Sequence, residues 1–350
     1  MTLAPIVPDS RPILVTGATG FVGAAVARAL AREGFSLRLM HRATSDPANL
    51  AGLSGERVVG DLTDAASLRL AVAGCRFVFH VAADYRLFVP DPAVMRKINV
   101  EGTVGLLTAA RAAGVERVVY TSSVAALGLT RDGTPADEMT PHGPADHVGA
   151  YKTSKYEAEI AVKSLAAAGL DVVIVNPSTP IGPGDVKPTP TGRMVRDAAR
   201  GRMPAYVETG MNIVHVDDVA NGHVLALRRG RTGESYILGG ENLMLSEIVG
   251  RIARLAGRAA PRIRLPIAPL MPVSAVMEGW ARLFHGEPLM TPDMLRMARR
   301  RMFFSSAKAG RELGYAPRPV EEAMCDALED MIRRGVIPDR RGDGVVVAAS

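Results

Sequence analysis

Cysteine is nearly absent: Cys75 and Cys325 are the only two in 350 residues. They stand far apart and no metal-ligand spacing surrounds them, which excludes a disulfide framework and a zinc site, and no metal is expected. Both read as inert core residues of a reducing compartment. Long apolar runs are missing too, and none of the runs present would span a bilayer. Residues 1–11 lack the basic and then apolar pattern of a secretory leader, so a cytoplasmic location is expected. Internal repeats and low-complexity tracts are also lacking. The formal charge of +6 comes from scattered arginines with no nucleic-acid motif beside them, so a nucleic-acid partner is not expected. That basic balance leaves anionic ligands or an anionic membrane surface open.

What is present is an apolar-rich chain, 47% by composition, able to bury a large core. Short apolar runs alternate with helix-like stretches through the first two-thirds, the pattern of βαβ units and a parallel sheet. Strands are expected at Ile13–Thr16, Ser36–Met40, Arg57–Gly60, Phe77–His80, Arg117–Thr121 and Asp171–Val175. Helices are expected near 21–33, 64–73, 92–113, 149–168 and 216–229, and later near 245–257, 269–285, 291–303 and 319–334. Strands apolar throughout, such as Val172 to Val175, suit a sheet covered on both faces. The proline-rich stretch from Pro177 to Pro190 reads as a rigid irregular loop.

The first strand runs into Thr16-Gly17-Ala18-Thr19-Gly20-Phe21-Val22-Gly23 and then an alanine-rich helix. Glycines there let the backbone approach a pyrophosphate, and a helix N-terminus offers it unpaired N–H groups. The G-x-x-G-x-x-G spacing differs from the common dehydrogenase fingerprint. At the end of the second strand stands Arg42, where an acid would meet the ribose hydroxyl of NAD and an arginine the extra phosphate of NADP. NADP is therefore the expected cofactor, with NAD the alternative.

A second constellation lies further on. Tyr151 and Lys155 are four apart on a helix-like segment and share one face. A free tyrosine titrates near 10, and a neighbouring ammonium lowers that value, making the pair a general acid/base. Ser123 closes the fifth strand and would steady a developing oxyanion; Ser122 or Thr121 are alternatives for that role. With the glycine-rich turn, Thr121-Ser122-Ser123 and Tyr151-Lys152-Thr153-Ser154-Lys155 resemble the extended short-chain dehydrogenase/reductase family, from about Pro12 to Arg334. That family holds NAD-dependent epimerases, dehydratases and dihydroflavonol-4-reductase-like ketone reductases.

The resemblance implies an α/β fold, a Rossmann-type doubly wound parallel sheet with a smaller substrate-binding domain. Residues 12–175 would form the dinucleotide-binding domain, joined by 211–230, with 176–210 and 231–337 forming the smaller one and 1–11 and 338–350 flexible. It implies that Gly17, Thr19, Gly20, Phe21, Val22, Gly23, Arg42, Asp61, Leu62, Ala82, Ala83, Asn99, Thr121, Tyr151, Lys155, Pro177 and Ser178 line the cofactor. Lys155 would hydrogen-bond the nicotinamide ribose. Asp84, Tyr85, Arg86, Asn176 and Thr179 would border the substrate, although relatives usually carry arginine at the place of Asn176.

The stretches 176–185, 203–207 and 301–309 look most like the hopanoid-associated sugar epimerases of this family. A sugar, sugar-nucleotide or hopanoid-linked small molecule is then the expected substrate, handled by reversible hydride transfer. A one-way NADPH-dependent ketone reductase is the alternative, and a non-catalytic NADP-sensing protein a third. A homodimer through the helices near 92–113 and 149–168 is the family expectation. His80 reads as a structural histidine, Asp217 as a helix N-cap, and 290–304 as a core helix or a weak lipid contact.

Overall fold

The computed structural model describes residues 6–86, 88–284, 286, 288 and 290–339; the expected flexible tail from Arg340 lies outside them. Its frame is one parallel sheet of β1 (Ile13–Thr16), β2 (Leu37–His41), β3 (Glu56–Val59), β4 (Phe77–His80), β5 (Arg117–Thr121) and β6 (Val172–Pro177). Each begins and ends within about two residues of where hydrophobic patterning puts it. A seventh strand, Ser235–Leu238, pairs parallel with β6 and completes the sheet. The order across the sheet reverses between β1 and β4, the switch point at which open α/β sheets bind ligands.

Alternate strand residues serve two separate cores. Ile13, Val15, Phe77, Phe79, Val119, Val173 and Val175 pack on one side, against α1 (Phe21–Arg32). Leu14, Val78, Val118, Tyr120, Val172 and Ile174 pack on the other, against α2 (Ala65–Val72), with α3 (Pro92–Arg96), α4 (Gly102–Ala112) and α5 (Ala150–Ala167) following in the chain. Burial on both faces explains why these strands carry so few polar residues.

Beyond β6 the chain departs from expectation in four places. Thr179–Ile181 (β7) is a strand, not irregular loop: it pairs parallel with β9 (Gly210–His215), which pairs antiparallel with β11 (Glu241–Met244). A small ladder joins β8 (Ala205–Tyr206) to β12 (Ile263–Arg264). A third apolar core sits among α6 (Pro190–Ala199), α8 (Leu245–Leu255), α12 (Val320–Arg333) and this small sheet. Second, parts of 231–337 return to the large sheet: its seventh strand, β10, and α11 (Ala307–Leu313), whose Ala309 and Leu313 join the α1 core.

Third, the helix expected over 291–303 stops early. It splits into α10 (Pro292–Ala298), preceded by α9 (Ile267–Phe284), and an extended piece in which Met302 and Phe304 bridge to Met211 and Ala136. Asn242 Oδ1 accepts the Phe304 N–H at 2.9 Å and its Nδ2 donates to the Phe304 carbonyl at 3.0 Å, so side-chain amides replace a helical ladder here. Fourth, α7 (Val216–Arg229) is capped by His215, whose Nδ1 accepts the Asp217 N–H at 2.9 Å. Asp217 is inside the first turn, where its charge suits the dipole, and Asp218 instead pairs with Arg318 at 2.9 Å.

His80 and His223 are fully enclosed. Burial pulls the imidazole of His80 down to about 3 and that of His223 to about 4. An unfolded histidine takes its proton near 6.5, so below that pH the unfolded chain binds more protons and stability falls. Urea unfolding is expected to lose about 3–4 kcal/mol between pH 7 and pH 5 from these two groups; a midpoint unchanged over that range would contradict their enclosed, neutral state.

Candidate active site

The predicted cofactor and catalytic residues collect at the C-terminal edge of the parallel strands. The turn after β1 is shaped by two glycines. Gly17 has φ +67°, and a Cβ there would stand 2.8 Å from the Ala82 Cα. A Cβ on Gly23 would stand 2.1 Å from the Gly17 carbonyl oxygen. Gly20 precedes α1 and no side chain caps the helix. The N–H groups of Phe21, Val22 and Gly23 therefore face the turn unpaired by helical bonds. A cradle too tight for side chains, with open N–H donors, fits a dinucleotide pyrophosphate. Thr19 braces it through its carbonyl, which accepts from Asn49 Nδ2 at 3.1 Å.

Around this cradle the other strand ends take their places. Arg42 is exposed after β2. Asp61 follows β3, its Oδ1 accepting from the Thr63 N–H at 2.8 Å and hydroxyl at 2.7 Å, and those bonds hold its carboxyl below the usual range. Leu62 lies beside Gly102, where a Cβ would come within 2.7 Å of its own. Ala82 and Ala83 follow β4. Thr16 Oγ1 accepts the N–H groups of Val81 and Ala82, both at 3.1 Å, which draws that strand exit against the glycine turn.

The same Thr16 hydroxyl begins a buried chain of hydrogen bonds. It meets His80 Nδ1 at 2.9 Å, and His80 Nε2 meets Thr103 Oγ1 at 2.9 Å. Thr103 donates to the Asn99 carbonyl at 2.7 Å. With Thr16 already accepting twice, the consistent assignment has Thr16 donating to Nδ1 and Nε2–H donating to Thr103. His80 is thus a structural histidine. Asn99 lies in a π-helical turn, Lys97–Glu101. Its Oδ1 accepts the Asp84 N–H at 2.7 Å, and its Nδ2 donates to the Asp84 carbonyl at 2.8 Å and to Ser154 Oγ at 3.0 Å. Ser154 donates in turn to the Tyr151 carbonyl at 2.8 Å.

Ser123, Tyr151 and Lys155 converge next to this chain. Ser123 is half-buried, its Oγ accepting the Ala125 N–H at 3.1 Å. It also lies within hydrogen-bonding reach of the Tyr151 phenol, which lowers the phenol's pKa, but desolvation outweighs that and pushes it above its ordinary value. The expected lowering by Lys155 is therefore overturned for the free protein: burial dominates. Lys155 is buried, donates to the Thr121 carbonyl at 2.9 Å, and is pulled by burial to about 8, with the Glu159 carboxylate opposing that fall. Thr121 Oγ1 bonds His223 Nε2 at 2.9 Å, and Ser122 Oγ donates to Glu159 at 2.7 Å. Both alternatives to Ser123 thus point into the protein.

Glu159 escaped sequence reasoning. It is buried and receives four groups: Ser122 Oγ and Asn176 Nδ2 on Oε2, Ser235 Oγ at 3.0 Å and Lys163 Nζ at 2.8 Å on Oε1. The available signal was spacing, since Glu159 follows Lys155 by four as Lys155 follows Tyr151. Asn176, expected at the substrate, is fully enclosed behind Ser123 and donates to its carbonyl at 3.1 Å. Pro177 ends β6, and the Ser178 hydroxyl is buried without a partner among the described residues. Asp84 and Arg86 pair at 2.5 Å, while Tyr85 is exposed and Thr179 half-buried.

Comparison with known proteins agrees with this geometry. The model of the NAD dependent epimerase/dehydratase family matches residues 13–239. A Synechocystis protein, provisionally named dihydroflavonol 4-reductase, is 42% identical over 92% of this chain and 95% of its own. Sterol demethylase protein B of Methylococcus capsulatus is 36% identical over 93% of this chain and 99% of its own. The crystal structure of the protein gox2253 superimposes with a TM-score of 0.85 at 55% identity, covering 94% of this chain and all of that one. A doubly wound sheet with a glycine cradle at its switch point, matched along most of its length by these relatives, places the chain in the NAD-dependent epimerase/dehydratase family, the extended short-chain dehydrogenases, as an enzyme of oxidoreductase chemistry.

Proposed function

We propose that this enzyme reduces a ketone to a secondary alcohol, reversibly, on a ring carbon of a lipophilic small molecule, with NADPH as its preferred cofactor. The observation that carries the reading is the convergence of Ser123, Tyr151 and Lys155 beside the glycine cradle. A bound reduced nicotinamide supplies the hydride. Tyr151, its phenol raised by burial, is protonated at neutral pH and donates its proton to the substrate oxygen as that oxygen gains charge. Ser123 hydrogen-bonds the same oxygen and orients it. Lys155, cationic below about 8, favours the phenolate left behind, and a proton taken up from solvent restores Tyr151 for the next turnover. Glu159 keeps Lys155 charged, and through Ser122 and Asn176 it braces the strand end that carries Ser123.

The names of two relatives support a polycyclic, lipophilic substrate: one refers to a dihydroflavonol and the other to a sterol. A hopanoid-linked intermediate belongs to the same chemical class. Arg42 supports NADP, because a guanidinium beyond β2 suits the 2′-phosphate. The family's own description favours a second reading, an epimerase that oxidises a sugar carbon and returns the hydride to its other face.

Net cofactor consumption separates the two. With the full chain, NADPH and dihydroflavonol or 3-oxosteroid probes, the reductase reading expects stoichiometric NADPH oxidation. Replacing Tyr151→Phe is expected to slow it about 10²–10⁴-fold while cofactor affinity stays within about threefold. Sugar isomerisation without net NADPH loss would overturn the reductase in favour of the epimerase, and undiminished turnover in Tyr151→Phe would overturn the role given to Tyr151. In titrations of stripped protein, Arg42→Ala is expected to weaken NADPH by about tenfold and leave NADH unchanged; a wild-type preference for NADH would contradict the role of Arg42.

A further inference from the structure

The alternative reading of 290–304 as a lipid contact does not hold there, because Phe304 is buried and Met302 is bridged into the small sheet. An exposed apolar surface lies one element earlier, on α9. Val273, Val276, Trp280, Leu283 and Phe284 are 49% to 72% exposed. At about 100° per residue the five fall within one arc of about 100°, a continuous stripe along the helix. Ser274 and Ala281, on the opposite side, are buried. The Trp280 and Phe284 rings lie 4.4 Å apart, so the aromatic end of the stripe is one contiguous apolar surface. Side chains of this size, aligned and open to water, mark a surface that something covers.

We propose that this face of α9 docks in the plane of an anionic lipid bilayer. Charge complementarity selects that occupant: exposed Arg262 and Arg264 stand a few residues before the helix, and exposed Arg299 follows at the end of α10, where Arg296 is already paired with Asp293. The chain as a whole carries +6. An apolar stripe with an indole, bracketed by arginines, is the composition of an interfacial helix. Its 18 residues span about 27 Å, yet no helix among the described residues is long and apolar enough to cross a membrane, so the helix lies on the bilayer and does not span it.

The docked helix packs on α10, and α10 reaches the start of the catalytic helix. In α10, the next helix, Asp293 Oδ2 stands 3.5 Å from where a Cβ on Gly149 would lie, and Gly149 leads directly into α5 and Tyr151. Through α10, the docked helix is thus connected to the helix that carries Tyr151, a placement suited to a substrate delivered from the lipid. The value of that placement for a lipid-borne ketone rests on the proposed reductase reading; the docking itself does not.

Trp280 is the only tryptophan in the chain and reports on the surface without a label. The full chain is mixed with vesicles of phosphatidylcholine, alone or with about 30% phosphatidylglycerol. The expected result is a blue shift of emission and co-sedimentation with the anionic vesicles, reversed by added salt, and weakened at least about tenfold by Val276→Glu with NADPH binding unchanged. No shift and no sedimentation with either vesicle would overturn the proposal. Equal binding to both vesicles would overturn its anionic part. A concentration-dependent shift without lipid, abolished by Val276→Glu, would assign the face to a second copy of the chain. Turnover of a small water-soluble ketone, measured in the same preparations, tests the reductase reading separately, since it needs no vesicle.

Discussion

The buried hydrogen-bond chain from Thr16 through His80, Thr103 and Asn99 to Ser154 is the constraint on which the rest of the site depends. Apart from the local Thr103–Asn99 bond, its links join separate elements: β1 to β4, β4 to α4 and the π-turn to α5, with the π-turn also clamping the exit of β4. Buried polar groups carry a large penalty when left unpaired. The chain satisfies them in a single register, so a shift of any one element would strand its neighbours. The exit of β1, which opens into the glycine turn, and the helix that carries Tyr151 are thereby joined by one continuous network. The opposite side has its own brace, Glu159, which ties Ser122, Asn176 and Ser235 together and faces Lys155.

Burial does two things with opposite chemical meaning at this site. It holds the Tyr151 phenol above its ordinary value, so the phenol stays protonated, and it lowers Lys155 toward the range in which a proton can move. A lysine on a solvated helix face would keep its ordinary value, about 10. Enclosure between β5, α5 and the strand ends sets both shifts, which the four-residue spacing alone does not reveal.

Much of this was legible in the sequence, and the exceptions have physical causes. The central strands β1, β4, β5 and β6 were readable because both faces of the sheet are buried there, whereas β3, an exposed edge strand, was readable from its valines. Ser123, Tyr151 and Lys155 were readable as a motif. The direction of the Tyr151 shift was not, because it is set by enclosure that spacing does not reveal. Asp217 looked like a cap, whereas the imidazole of His215 has the better geometry for the role. The extended piece at Met302–Phe304 was unreadable because its partners, the backbone near Met211 and Ala136 and the side-chain amides of Asn212 and Asn242, are distant in sequence. Asn176 looked like a cleft residue from its place after an apolar strand; only its contacts reveal that it works from behind Ser123.

Asn99 is the junction of the buried chain, clamping the exit of β4 and α5 to one π-turn. Asn99→Leu keeps the volume and removes the amide that clamps Asp84 and Ser154. Single-turnover hydride transfer from bound NADPH to a ketone probe measures alignment apart from binding. The account predicts that the rate falls about 10²-fold, as misplacement near the chemistry does, while NADPH affinity changes less than about threefold. A rate equal to that of the unmodified protein would contradict it.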